Sequence, residues 1–211
     1  MQQLETVKNY LVYHNGTIET NVCNEEIEIN DNMVIVKEAS SLQIVYLIDQ
    51  DGEYQFNLTV SGKLELIEMY YIKETATLIK DFKVLSDGDV LRYVDNQSSI
   101  AIKANVVENV SVCRNANVRC AYVELSNNSI DLKIDYQLKE PEANVALRLA
   151  SLAKNDEKKN ITIAITHQAP YTTGTMDNYG VVKDSASLVI DGIGTIKKGN
   201  HQSNSHQTNK I

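Results

Sequence analysis

Between Asn21 and Leu138 the chain is a succession of short runs in which apolar and polar residues alternate. They fall at 33–36, 42–48, 54–60, 64–72, 77–85, 90–94, 100–106, 110–112, 118–125 and 130–138. Alternation with period two marks a strand with one face buried. Asp-Gly at 51–52 and 87–88, Ser-Gly at 61–62 and Asn- or Ser-rich stretches at 96–99 and 127–129 separate the runs, as turns should. The spacing predicts a strand roughly every ten to twelve residues. The last fifty-odd residues continue the pattern with apolar runs at 161–165, 180–182 and 186–190. Glycines at 174, 180, 192, 194 and 199 argue against a helix there, since each would cost about 1 kcal/mol inside one.

Two segments break the alternation. Leu4, Val7 and Leu11 recur at helical spacing with Gly16 beyond them, which predicts a short amphipathic helix over 3–13. Residues 141–153 open on Pro141 and Glu142 and are rich in helix formers, yet Val145, Leu147 and Leu149 alternate. The residues by themselves leave helix and strand both open here, and a charged turn over 155–160 follows.

An all-β chain with this spacing can be a sandwich, a barrel or a β-solenoid. Only two Asp-Gly pairs lie between the strands, few for a set of tight hairpins. Asn recurs from turn to turn, and in a parallel coil such side chains can ladder at about 4.8 Å spacing. Coils of roughly 20–25 residues would make about seven to nine turns. The pattern by itself leaves solenoid and sandwich both open.

The 211 residues include no Trp, two Phe and eleven Tyr, so the core is expected to be aliphatic with some tyrosine. A net charge of −8 repels phosphate backbones and anionic lipid, which disfavours nucleic-acid and membrane-surface binding. No run approaches the ~20 apolar residues of a membrane span, and the first residues show no secretion signal, so the expected location is cytoplasmic. The Asn-x-Ser/Thr sequences then count as turns rather than glycan sites. P-loop, GxGxxG, GxSxG and HExxH motifs are all missing, which weighs against the commoner enzyme classes.

Candidate chemistry is sparse. His167 follows an apolar run and precedes Ala169-Pro170, where an imidazole can fix a turn or contact a metal. His201 and His206 are five apart, on opposite faces of any strand. Cys113 and Cys120 also have an odd offset, but a turn at 115–117 would put them on successive segments. An iron–sulfur cluster normally takes four thiolates, and the chain has three cysteines, at 23, 113 and 120. Histidine, carboxylate or a partner would have to complete any such site. Glu25-Glu26 and the Glu65/Glu68 pair are expected to be solvated charges.

Residues 160–211 carry a resemblance. His167, Ala169-Pro170, Thr172, Gly180-Val181-Val182, Gly192, Gly199, Gln207 and Asn209-Lys210 resemble the closing pattern of the SufB/SufD family of iron–sulfur cluster assembly proteins. Gly194 and Asn200 depart from it, standing where the family usually has Ile and Ala. The resemblance implies a right-handed parallel β-helix, here over 21–211 after a short N-terminal helix or arm over 1–20. It also implies a strand at 141–153. The implied function is a SufD-like scaffold or accessory subunit of SUF-type cluster assembly, not itself an enzyme. The alternative is a β-solenoid interaction module without an assembly role. The implied partners are a SufB-like subunit or a second copy of the chain, with a SufC-like ATPase engaged indirectly. A cluster would be held only transiently, in complex with those partners. The family's helical C-terminal region and its Cys-x-His motif have no counterpart in these residues, so its functional residues do not carry over. Candidate metal contacts are therefore His167, Cys113 and Cys120. An uncapped coil presents unpaired backbone groups and apolar cross-section. The expected interface is thus the final strand, with Gln207, Asn209, Lys210 and Ile211.

Overall fold

The alternating runs wind into a coil. The computed structural model describes residues 9–37 and 40–211, and every helix or strand among them is a strand. One sheet holds β1 (Tyr10–His14), β2 (Thr17–Val22), β5 (Ser40–Ile48), β7 (Lys63–Ile72), β9 (Asp89–Asn96), β11 (Asn117–Glu124), β13 (Asn144–Ala153), β15 (Thr173–Val182) and β17 (Asn204–Lys210). The other holds β3 (Ile27–Asn30), β4 (Met33–Val36), β6 (Gly52–Val60), β8 (Ala76–Val84), β10 (Lys103–Val112), β12 (Ser129–Leu138), β14 (Lys158–His167) and β16 (Ser187–Ile196). From β6 onward the chain visits the two sheets in turn, and each strand pairs in parallel with the strand two before it. The result is a β-solenoid of about six turns.

Coils are longer than the spacing of apolar runs suggests. Ser40 pairs with Leu64 and Thr173 with Asn204, an advance of 24 residues in one early coil and 31 in the last. Fewer coils therefore fit into the chain than the seven to nine expected. The reason is strand length: most strands from β5 on run eight to ten residues, and turns between them add to each coil.

The inward positions form the core. In β12, Ile130, Leu132, Ile134, Tyr136 and Leu138 point in, while Asp131, Lys133 and Asp135 point out. β13 behaves the same way with Val145, Leu147 and Leu149 inside, so residues 144–153 are a strand, as the resemblance implies. A helix is prevented where Glu142 takes the left-handed conformation, with φ of 66°. Asp87, Asn115, Tyr171 and Gln202 are left-handed at the matching corner of other coils. The expected Asn ladders exist, mostly as Asn on Asp. Asn109 donates to Asp81 at 2.9 Å, Asn115 to Asp87 at 2.8 Å and Asn160 to Asp131 at 2.8 Å.

The start of the coil differs from expectation. Tyr10–His14 is a strand with Leu11 and Tyr13 fully buried, not the end of a helix. Gly16 does not stop a helix; with Asn15 it forms the tight left-handed turn of the β1–β2 hairpin. Parallel pairing of β1 with β5 and the strand preference of Tyr and Val override the helical spacing. The rest of the predicted helix, residues 3–8, lies outside the described residues. β1–β2 and β3–β4 are the antiparallel pairs, and β2 and β3 border the two sheets at this end.

Candidate functional site

The inside of the coil is not uniformly apolar. Glu68 on β7, Lys80 on β8, Arg92 on β9 and Glu108 on β10 all face inward and are nearly inaccessible. They belong to both sheets and to neighbouring coils, so the ladder register brings them together. Lys80 Nζ donates to Glu68 at 2.5 Å, to the Tyr70 hydroxyl at 2.6 Å and to Glu108 at 3.1 Å. Arg92 donates through Nε to Glu68 and through both terminal nitrogens to Glu108, at 2.7 and 2.9 Å. The Tyr46 and Tyr70 hydroxyls donate to Glu68 and Glu108. Two carboxylates thus meet two cations, and the charges cancel.

Balance matters because a buried, unpaired charge costs several kcal/mol. Burial pushes the Glu108 carboxyl up, but the charges of Arg92 and Lys80 outweigh it and hold the group well below the usual range. Glu68 follows the same logic and is also lowered. Burial works against the Arg92 charge, yet Glu108 and Glu68 keep it firmly protonated. Glu68 was expected to be a solvated charge; it is 1 % exposed because its position is inward in the alternation of β7.

Cys120 on β11 lies against this cluster. Its thiol is 4 % exposed, and burial, opposed by Arg92, pushes it up to about 11. It is therefore a thiol, not a nucleophilic thiolate, at neutral pH. The Tyr136 hydroxyl lies beside it with no oxygen or nitrogen partner. Cys113 is in the turn after β10, also buried, and burial raises its thiol too.

His167 closes β14. Its Nδ1 is 2.8 Å from the Thr172 hydroxyl, which in turn donates to the Ala169 carbonyl at 3.1 Å. Nε2 is buried without a partner, and burial lowers the affinity of the ring for a proton. Gly174 is what makes the room: a Cβ there would lie 2.7 Å from Ile165 and 3.0 Å from Nε2. His167, Cys113 and Cys120 thus occupy separate places in the coil. Among the described residues no three His, Cys, Asp or Glu are arranged to hold a metal ion. His201 and His206 fall in an exposed turn and on β17.

The last coil has a different surface. β16 and β17 border their sheets. Outward positions on the second sheet are polar or small on β12 and β14, where Asp131 stacks under Asn160 and Asp135 under Ala164. One strand on, the same columns carry Val189 and Ile193, 52 % and 44 % exposed. On β17, Gln207 lies over Gly192, where any Cβ would collide with its amide. Asn209 accepts from Asn178 at 2.8 Å, and Lys210 Nζ sits 5.7 Å from the centre of the Tyr179 ring. Ile211 beyond it is exposed.

A family model described as the SUF system FeS cluster assembly, SufBD core domain, matches residues 20–211. No curated protein matches the chain.

Proposed function

Since the chain belongs to the SufBD core family of the SUF iron–sulfur cluster assembly system, we propose that it acts there as a SufD-like scaffold or accessory subunit. Val189 and Ile193 carry this reading: they are large, exposed apolar residues on the outer face of the border strand, in columns where β14 has Asn160 and Ala164. Val181, Val182 and Ile196 are further exposed apolar residues on β15 and β16 of the last coil, and exposed apolar surface of this kind marks a protein contact. A SufB-like subunit or a second copy of the chain covers it, joining border strand to border strand through β16 and β17. Gln207, Asn209, Lys210 and Ile211 contribute to the same contact. A SufC-like ATPase is engaged through that partner.

The cluster is cargo in this scheme. Two of the three thiols are buried and protonated, so the chain supplies shape and contact rather than a ligand set of its own. Anaerobic co-expression with SufB-like and SufC-like partners tests the role. The expected result is one co-purifying complex that contains iron and sulfide. Association without iron or sulfide would leave only an interaction module, and no association would refute the proposal.

A further inference from the structure

Where β11 and β13 turn toward β12 and β14, the corner of the coil encloses a second buried polar group. Glu124 is fully buried and accepts from Asn96 Nδ2 at 2.8 Å, Ser126 Oγ at 2.5 Å and Lys159 Nζ at 3.0 Å. Lys159 also donates to the Ser126 carbonyl at 2.8 Å and lies 3.7 Å from Glu157 Oε2. That Glu157 oxygen accepts the backbone N–H of Lys154. Asn128 donates its amide to the Ile100 carbonyl at 2.8 Å.

The group differs from the Glu68–Arg92 cluster in two ways. It contains two carboxyl groups and a single ammonium, so its charges do not cancel. It also leaves three buried oxygens without a partner: Glu157 Oε1, Asn128 Oδ1 and Ser151 Oγ. Their residues are between 0 % and 4 % exposed. The ladder places them at one corner. Ser129 accepts from the Lys158 backbone, so Asn128 and Glu157 hold equivalent places in successive coils. Ser151 stacks on Glu124. Buried polar atoms nearly always have partners, and a carboxylate oxygen, an amide oxygen and a hydroxyl gathered beside an excess negative charge suit a positive one.

We propose that this corner binds one monovalent cation of the sodium, potassium or ammonium class, held by Glu157 Oε1, Asn128 Oδ1 and Ser151 Oγ. The donor set is all oxygen, which suits a hard cation and not a thiolate- or imidazole-seeking metal. The charge count selects a monovalent ion: it restores neutrality, whereas a divalent ion would reverse the imbalance and wants six or more oxygens. The rival is a buried water, which can donate to two of these oxygens and needs no ion.

Thermal unfolding separates the two. The chain is melted in sodium, potassium or tetramethylammonium chloride at equal ionic strength. A bound ion should raise the midpoint by about 3 °C in one small cation over tetramethylammonium, saturably with concentration. Glu157→Gln should abolish the difference, while the exposed control Glu28→Gln should keep it. Should Glu157→Gln not fold, Ser151→Ala serves instead and should weaken the titration several-fold. Equal midpoints in all three salts would overturn the proposal in favour of a bound water. A cation effect that survives in Glu157→Gln and Ser151→Ala would overturn it as well.

Discussion

Truncating Arg92 to methionine would leave Glu68 and Glu108 facing Lys80 alone. An uncompensated charge inside a sealed coil should cost about 3–5 kcal/mol in a denaturant melt. Glu68 and Glu108 titrate lower in the folded chain than their ordinary 4.5, so the stability they contribute is present above that pH and is lost as pH falls below it. His14 and His167 act in opposite directions. Burial lowers His167, so the unfolded chain takes up its proton first, and stability falls as pH drops below about 6.5. Hydrogen bonds that His14 donates to Asp49 and then to Glu19 raise it; its contribution is complete below 6.5 and fades as pH climbs past the raised value. Melts across pH 5 to 8, about the histidine range, should lose the acid-side slope in His167→Gln and the opposing slope in His14→Ala. Thiol chemistry gives a simpler check. In the native protein Cys23 should react with a thiol reagent at pH 8 well before Cys113 and Cys120, since it alone is not buried. Prompt labelling of Cys120 would contradict the packed interior.

At the scale of elements, much of the architecture could be read in advance. Strands with one buried face announce themselves by alternation, and β12 with Ile130, Leu132 and Ile134 is the clearest case. The segment at 144–153 needed the family resemblance to be read as a strand, because its helix-forming composition competes with the alternation of Val145, Leu147 and Leu149. The first strand was not, because three apolar residues at helical spacing say nothing about a partner strand such as β5 arriving later in the chain. Nor was the ionic interior. Glu68 sits at an inward position, but a lone Glu in an alternating run looks like a solvated one until Lys80 and Arg92 are seen in the same section of the coil. The corners hold a testable cost. Glu142 and Tyr171 adopt left-handed backbone that suits Gly or Asn better, at about 1–2 kcal/mol each. Tyr171 is largely exposed, so Tyr171→Gly loses little packing. We expect it to stabilise by about 1 kcal/mol, or about 2–4 °C in the melting midpoint for a chain of this size. Gly174→Val should do the reverse, by driving a side chain into Ile165 and His167.

For the molecule as a whole, the fold and the family were legible together, since the motif residues from His167 to Lys210 lie on β14 to β17 and the turns between them. The site was less so. His167, Cys113 and Cys120 are chemically capable residue types, yet each is buried in a different part of the coil. What the sequence showed only faintly is the change of surface at Val189 and Ile193, because their neighbours in space, Asn160 and Ala164, are 29 residues away along the chain. If that surface joins subunits, charges placed on it should separate them without unfolding the coil. Sedimentation at tens of micromolar, for the wild type and for Val189→Asp/Ile193→Asp, measures this most directly. The wild type is expected above the 23.6 kDa of one chain, alone or with a SufB-like partner, and the double variant at that mass with an unchanged circular dichroism spectrum. A wild type that sediments as a single chain under both conditions would contradict the account.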